Sequence, residues 1–156
     1  MKNHQNKILL DLDGVLITTP SWKPDNLHED GYSDFNREAV QNLNILLSEV
    51  DAELWLSSTR RLGKTLEEFN LIFSNRNIQQ SIKGFLPAGT LGENRLIEVE
   101  AFLDHEFPKN FLILDDDTSL NELEDYRKKF WVKTDRLIGF NEEKLREALV
   151  LVNQWT

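Results

Sequence analysis

The sequence contains no cysteine, so neither disulfide bonds nor thiolate metal ligands can stabilise the fold or take part in its chemistry. Its three histidines, His4, His28 and His105, do not have the mutual spacing of a zinc site. Long apolar runs are also missing, and the N-terminal run before the first acids is too short for a signal peptide or a membrane span. We therefore expect a cytoplasmic protein without a membrane partner.

Basic residues are in the minority. The 18 Lys and Arg residues against 27 Asp and Glu give a formal net charge of −9. Because a nucleic-acid backbone or an anionic membrane requires a dense basic face, extended nucleic-acid binding is disfavoured. A small phosphorylated substrate is still compatible, since a few local cations, backbone N–H groups and a metal ion can outweigh the global charge.

The 156 residues, 40% of them hydrophobic, are enough for one domain with its own core, which we place at residues 1–156. Apolar runs typical of buried strands alternate with segments of helical periodicity. Strands are predicted at 7–12, 52–57, 111–114 and 130–134, with a short one near Ile82. Helices are predicted at 34–50, 64–75, 92–106 and 141–155, and a short one at a capping box formed by Ser119 and Glu122.

This alternation predicts an α/β fold in which a mainly parallel, doubly wound sheet lies between two layers of helices. Residues 17–33, called the flap below, contain two prolines and a glycine and lack a clear period, which indicates a long irregular loop. Long loops of this kind are often functional. Within the flap, Trp22 could stack on a substrate, but we expect it mainly to be an aromatic anchor that holds the loop down.

Polar residues follow three of the predicted strands at the point where each strand ends. In parallel sheets the ligand crevice lies beyond the carboxyl ends of the strands. The residues concerned are Asp11 and Asp13, then Ser57, Ser58 and Thr59, and finally Asp115, Asp116 and Asp117.

Phosphoryl transfer from a monoester needs a nucleophile, a proton donor and positive charge, and the first two are present in the segment DLDGVL. Asp11 and Asp13 stand two positions apart with Leu12 turned the other way, so both carboxylates can face one pocket. Asp11 can attack phosphorus to form an aspartyl-phosphate. Asp13 would protonate the leaving oxygen and later deprotonate the attacking water.

Four acids in one crevice, namely Asp11, Asp13, Asp115 and Asp116, would repel each other unless a cation lies among them or one stays protonated. Mg²⁺ fits this role because it prefers oxygen ligands and keeps a substrate phosphate in its shell.

Phosphoryl oxygens also need direct partners. The Ser57 hydroxyl and the N–H groups of Ser58 and Thr59 are candidates, because they lie at the predicted start of a helix. Candidate cations for the remaining charge are Arg60, Lys83 and Arg95. For Arg95, an ion pair with Glu98 on the same helix is an equally good interpretation.

Together these motifs resemble the haloacid dehalogenase-like (HAD) superfamily. DLDGVL matches its first motif, LWLSSTR with Ser57 the second, and FLILDDD the fourth. Its third motif is a Lys or Arg, for which Arg95, Lys83 and Lys109 are alternatives. The motifs LSSTR, NRLIEVEAFL and FLILDDD are also similar to a small group of capless members associated with nucleic-acid repair.

The resemblance implies an aspartyl-phosphate phosphatase that binds Mg²⁺. Its metal ligands would be Asp11, one or both of Asp115 and Asp116, and the backbone carbonyl of Asp13. The intervals between motifs leave no room for a large cap domain, so an open site gated at most by the flap is expected. Sugar phosphates, nucleotides, phosphoproteins and nucleic-acid end phosphates all fit such a site.

Two other functions are compatible with parts of this pattern. A receiver-like signalling domain also carries an acid cluster and a phospho-aspartate, but its acceptor comes on a middle strand and not on the first. A phosphate-binding module without turnover is the second alternative, and the presence of all the acids needed for chemistry argues against it.

Overall fold

The computed structural model describes residues 5–89 and 94–156, and a parallel sheet runs through its centre. The strands are β1 (Asn6–Leu10), β2 (Glu53–Leu56), β3 (Ile82–Phe85), β4 (Asn110–Asp115) and β5 (Trp131–Lys133). The helices are α1 (Arg37–Glu49), α2 (Leu66–Asn75), α3 (Arg95–Glu106), α4 (Asp125–Lys128) and α5 (Glu142–Val152), with 3₁₀ helices at Thr59–Gly63 and Thr118–Glu122. The strand order is β3-β2-β1-β4-β5, and all four pairings are parallel.

Side chains on the central strand β1 alternate between two hydrophobic cores. Ile8 and Leu10 point into a core with α1, α2 and α5, whereas Leu9 points into a core with α3 and the 3₁₀ helix Thr118–Glu122. Because β1 is buried on both faces, its sequence is a continuous apolar run without polar alternation. The predicted three-layer α/β fold is confirmed, and no cap domain interrupts the described residues.

Most helices begin at a residue whose side chain caps the first turn. The Asn141 side chain accepts a hydrogen bond from the Lys144 N–H and begins α5, as predicted, although α5 ends at Val152 and not at Trp155. The predicted capping box at Ser119 is wrong. Asp117 caps the 3₁₀ helix by accepting from the Ser119 N–H, while the Ser119 hydroxyl accepts from the Leu96 N–H.

The flap is irregular, as predicted, and contains a short bridge between Leu27 and Ser33. Asp30 attaches it to the end of α2, because the buried guanidinium of Arg76 donates to Asp30 Oδ2 at 2.6 Å and to Oδ1 at 2.9 Å. Trp22 is 75% exposed, so the expectation that it anchors the flap is wrong. Among the described residues, no helix has the length and apolar character needed to cross a membrane.

Candidate active site

The carboxyl ends of β1 and β4 bring two acids together at the centre of the sheet. Leu10 pairs with Leu114 in the strand register, and the Asp11 N–H donates to the Leu114 carbonyl at 3.0 Å. Asp11 therefore lies beside Asp115, the last residue of β4, and both are buried. The Leu12 N–H donates to Asp11 Oδ1 at 2.8 Å, which fixes the orientation of this carboxylate.

Asp11, Asp115 and Asp116 form an acidic cluster in which one oxygen of each residue lies within 4.8 Å of the others. Burial, and then the charge of Asp11, raises the pKa of Asp115 well above its ordinary value, although Arg95 opposes this. The same two causes raise the pKa of Asp116 to about 6. Buried carboxylate oxygens that destabilise each other are a donor set that suits a hard divalent cation such as Mg²⁺.

Arg95, the first residue of α3, lies against this cluster. Its Nη1 donates to Asp115 Oδ2 at 2.5 Å and lies 3.5 Å from Asp11 Oδ2. Although burial works in the opposite direction, the charges of Asp115 and Asp11 raise the pKa of Arg95. Its Nε lies 3.7 Å from Glu98 Oε1, so Arg95 forms the predicted pair with Glu98 while its Nη1 faces the acidic cluster.

The other two candidates for the third-motif cation are not brought to this cluster. Lys83 is exposed on β3 and lies near Glu53, the first residue of β2. Lys109 is also exposed and immediately precedes β4, at the opposite end of that strand from Asp115. Of the three candidates, the geometry favours Arg95.

Asp13 is bound by Arg60 and, among the described residues, is not a member of the acidic cluster. Arg60 donates from Nε to Asp13 Oδ2 at 2.7 Å and from Nη2 to Oδ1 at 2.9 Å. It also donates to Asp25 Oδ2 at 2.9 Å and to the Ser33 hydroxyl at 3.1 Å. The predicted general acid is thus linked to both halves of the flap by one guanidinium.

The residues after β2 differ in their surroundings. The Ser57 hydroxyl is fully buried and has no hydrogen-bond partner within residues 5–89 and 94–156. Ser58 is buried and caps the 3₁₀ helix by accepting from the Arg60 N–H at 3.2 Å, whereas Thr59 is exposed. Ser57 is therefore the member of this group with an unsatisfied polar atom next to the strand ends. Such an atom is a candidate ligand-binding group.

Asp117 has a structural role in this arrangement. Its N–H donates to Asp115 Oδ1 at 3.0 Å, and its carboxylate caps the following 3₁₀ helix. It is not a member of the acidic cluster in the described part of the chain. The acidic triplet after β4 thus divides into two candidate metal ligands and one cap.

Two arginines of the site were not singled out from the sequence. Arg136 donates to the Ile17 carbonyl at 3.0 Å and lies 3.7 Å from Asp13 Oδ1. Arg61 is buried and donates to the Ser57 and Ser58 carbonyls, which fixes the loop after β2. Arg136 follows β5, so examining the residues after every strand would have found it. No sequence signal distinguishes Arg61 from an exposed cation.

Gly14 is required by the close packing of two loops. Its φ is +85°, and a Cβ at this position would lie 2.2 Å from Asp116 Oδ2. A side chain here would therefore displace a carboxylate of the acidic cluster. The glycine of DLDGVL serves both the turn and the position of Asp116.

Comparison with known proteins agrees with this geometry. A family model described as the HAD domain in Swiss Army Knife RNA repair proteins matches residues 7–145, which include the acidic cluster, Arg95 and the flap. No curated protein and no solved structure gives a match. The match covers most of the chain, and it agrees with the HAD superfamily resemblance of the sequence motifs. The chain therefore belongs to the family of HAD domains of Swiss Army Knife RNA repair proteins.

Proposed function

We propose that this chain is a Mg²⁺-dependent phosphomonoester hydrolase that uses Asp11 as a covalent nucleophile. The observation that carries the proposal is the meeting of Asp11, Asp115 and Asp116 beside Arg95. Membership of a HAD family supports hydrolase chemistry in general. The buried, oriented carboxylate of Asp11 supports its choice as the attacking group.

In the first half of the reaction a bond forms between an Asp11 oxygen and phosphorus, while the bond from phosphorus to the leaving oxygen breaks. Asp13 gives its proton to that leaving oxygen. In the second half, Asp13 takes a proton from water, which attacks phosphorus. The bond between Asp11 and phosphorus then breaks, and inorganic phosphate and the free Asp11 carboxylate are regenerated.

Arg60 has to change partners during this cycle. While both Asp13 oxygens accept hydrogen bonds from Arg60, neither oxygen is available to the leaving group of a substrate. We propose that an entering phosphate draws Arg60 towards its own oxygens, because a guanidinium binds phosphate in the same bidentate manner. Asp13 is then free to carry a proton.

The remaining charge of the phosphoryl group is met by groups that are already in place. The buried Ser57 hydroxyl, which has no partner in the described part of the chain, can donate to a phosphoryl oxygen. Arg95 supplies a fixed positive charge beside Asp11. Mg²⁺ held by the acidic cluster would add charge neutralisation and orient the phosphate. The Asp13 backbone carbonyl remains a predicted further ligand.

We further propose that the substrate phosphate lies at the end of an RNA strand. The family description names RNA repair proteins, and a terminal phosphate of an RNA strand is a phosphomonoester of the kind that the proposed reaction cleaves. The absence of a cap domain in the described residues supports this choice, because a polymer end can reach an open site. The net charge of −9 indicates that contact is confined to the strand end.

Phosphate release tests the proposal with a panel containing an aryl phosphate and RNA oligonucleotides with 3′ or 5′ terminal phosphates, each with and without Mg²⁺. We expect turnover by the wild type with Mg²⁺, none by Asp11→Asn, and a loss of about 10²–10⁴-fold in Asp13→Asn. Asp104→Asn is the matched control, because the Asp104 side chain is 68% exposed in a pair with Arg127 and lies outside the acidic cluster. Full activity in Asp11→Asn would exclude the mechanism.

A further inference from the structure

The flap carries a closed turn that presents an aromatic ring to solvent. The Lys23 N–H donates to the Pro20 carbonyl at 3.0 Å, and Trp22 lies within the turn that this bond closes. Its neighbours Ser21, Lys23 and Pro24 are exposed as well. Since Trp22 is 75% exposed, packing in the core does not account for it.

The chain on both sides of this turn is attached to the active site. Asp25 accepts hydrogen bonds from Arg60 and from the Ser33 hydroxyl, and the Thr19 side chain also hydrogen-bonds to Asp25. Arg60 in turn holds Asp13. Three residues of extended chain span at most roughly 11 Å, so the backbone of Trp22 lies within that distance of Asp25. The turn that carries Trp22 is thus anchored, through Asp25 and Arg60, to Asp13 of the proposed active site.

We propose that Trp22 is a nucleobase-stacking residue that binds the base of the terminal, phosphorylated nucleotide. The inference rests on the proposed function, since it assumes that an RNA end phosphate enters the site. Unpaired bases stack on aromatic side chains in proteins that bind single-stranded RNA. Stacking requires no basic surface, so it supplies affinity that a chain of net charge −9 does not obtain from backbone phosphates.

A protein partner is a poorer match for the same ring. Protein interaction sites are contiguous apolar patches, whereas Trp22 is flanked in sequence by an exposed serine and an exposed lysine. One flat ring between a serine and a lysine suits one base. Because Asp25 and Asp30 fix the flap independently of Trp22, replacing the ring should leave the flap in position.

Two RNA oligonucleotides that differ only in the phosphorylated terminal nucleotide provide the test, one with its base and one abasic. For the base-bearing substrate, Trp22→Ala should raise KM about 10- to 100-fold, in line with the energy of base–aromatic stacking, and leave kcat nearly unchanged. KM for the abasic substrate should not change. Trp22→Phe should retain most of the affinity, and Leu27→Ala is the matched control, since Leu27 is 68% exposed on the same flap.

Binding separates failure of this inference from failure of the proposed function. Fluorescence anisotropy of labelled oligonucleotides gives their Kd for Asp11→Asn with and without Trp22→Ala, and it requires no turnover. If the wild type hydrolyses no phosphate ester but Trp22→Ala weakens binding of the base-bearing strand alone, the stacking inference stands and the proposed reaction does not. An unchanged Kd and KM in Trp22→Ala, or equal increases for both strands, would overturn the inference.

Discussion

Arg60 binds Asp13 through two hydrogen bonds, from Nε to Oδ2 at 2.7 Å and from Nη2 to Oδ1 at 2.9 Å, and the same guanidinium holds Asp25 of the flap. The hydrogen bonds to Asp13 raise the pKa of Arg60 above its ordinary value. One side chain thus positions the proposed general acid and the loop beside it. Removing it should disturb both.

We expect Arg60→Ala to lower kcat/KM by about 10²-fold, because displacement of a reacting group by even 1 Å has effects of this size. Arg60→Lys should recover only part of the loss, since lysine does not form the paired contacts of a guanidinium. Steady-state kinetics measure both effects. Arg146→Ala is the control, because Arg146 forms an exposed pair with Glu142 on α5. Equal activity in Arg60→Ala and Arg146→Ala would contradict a role for Arg60.

Two glycines provide a matched pair for the packing of the acidic cluster. Gly14 and Gly31 both have a φ of +85°, but a Cβ meets Asp116 only at Gly14, whereas nothing lies within 4 Å at Gly31. Alanine should cost about 1–2 kcal/mol of unfolding free energy at either position because of the left-handed backbone. Gly14→Ala should cost more and should also weaken Mg²⁺ binding. Urea unfolding and calorimetric titration with Mg²⁺ measure these effects, and equal losses in both variants would contradict the proposed packing.

Mg²⁺ should stabilise the folded chain, because an ion that binds only the folded state adds to its stability. The gain is about 2.7 kcal/mol at a concentration 100 times Kd. Asp116→Asn should reduce this gain and raise stability in the absence of metal, since it removes a like charge next to Asp11. Thermal unfolding with and without Mg²⁺ measures both changes. Asp135→Asn is the control, because Asp135 lies outside the acidic cluster, and it should keep the full stabilisation by Mg²⁺. If Mg²⁺ stabilises Asp116→Asn as much as the wild type, the proposed metal site is wrong.

The Asp30–Arg76 pair should make the attachment of the flap sensitive to acid. Hydrogen bonds from Arg76 hold the pKa of Asp30 well below its ordinary value of 3.8. A carboxyl with a lowered folded-state pKa stabilises the fold above the unfolded-state value, and this stability is lost as pH falls below it.

Asp30→Asn should therefore lower the unfolding free energy at pH 7 by an amount on the order of 1 kcal/mol. The difference from the wild type should narrow as pH falls below 3.8. Urea unfolding across this pH range measures the difference. Asp104→Asn is the control, because the Asp104 side chain is 68% exposed in its pair with Arg127. A difference that stays constant with pH would contradict the role of this ion pair.

Local sequence patterns were sufficient for much of the fold. The apolar run before DLDGVL predicts β1, and helical periodicity predicts α1, α2 and α5 within a few residues of their ends. Local sequence was a less reliable guide to helix starts where two residues can each cap the same helix. Asp117 and Ser119 can each cap a turn, and the contact of Ser119 with Leu96, which is distant in sequence, leaves the cap to Asp117.

The choice between Arg95 and Lys83 shows the limit of sequence patterns within the site. Both are basic residues in the interval between the second and fourth motifs, and either could neutralise a phosphate. Only the tertiary structure places Arg95 against Asp11 and leaves Lys83 beside Glu53. The exposure of Trp22 was decided in the same way, since a loop tryptophan is compatible with an anchor or with an exposed ring.

The class of fold and the acids at the ends of β1 and β4 follow from the sequence alone, because strand periodicity and strand ends are properties of neighbouring residues. The tertiary structure alone decided which charges meet: Arg60 with Asp13, Arg95 with Asp115, and Arg76 with Asp30. These pairs join residues that are 20 to 47 positions apart. Such separations become contacts only when the order of the strands and the path of the flap are fixed.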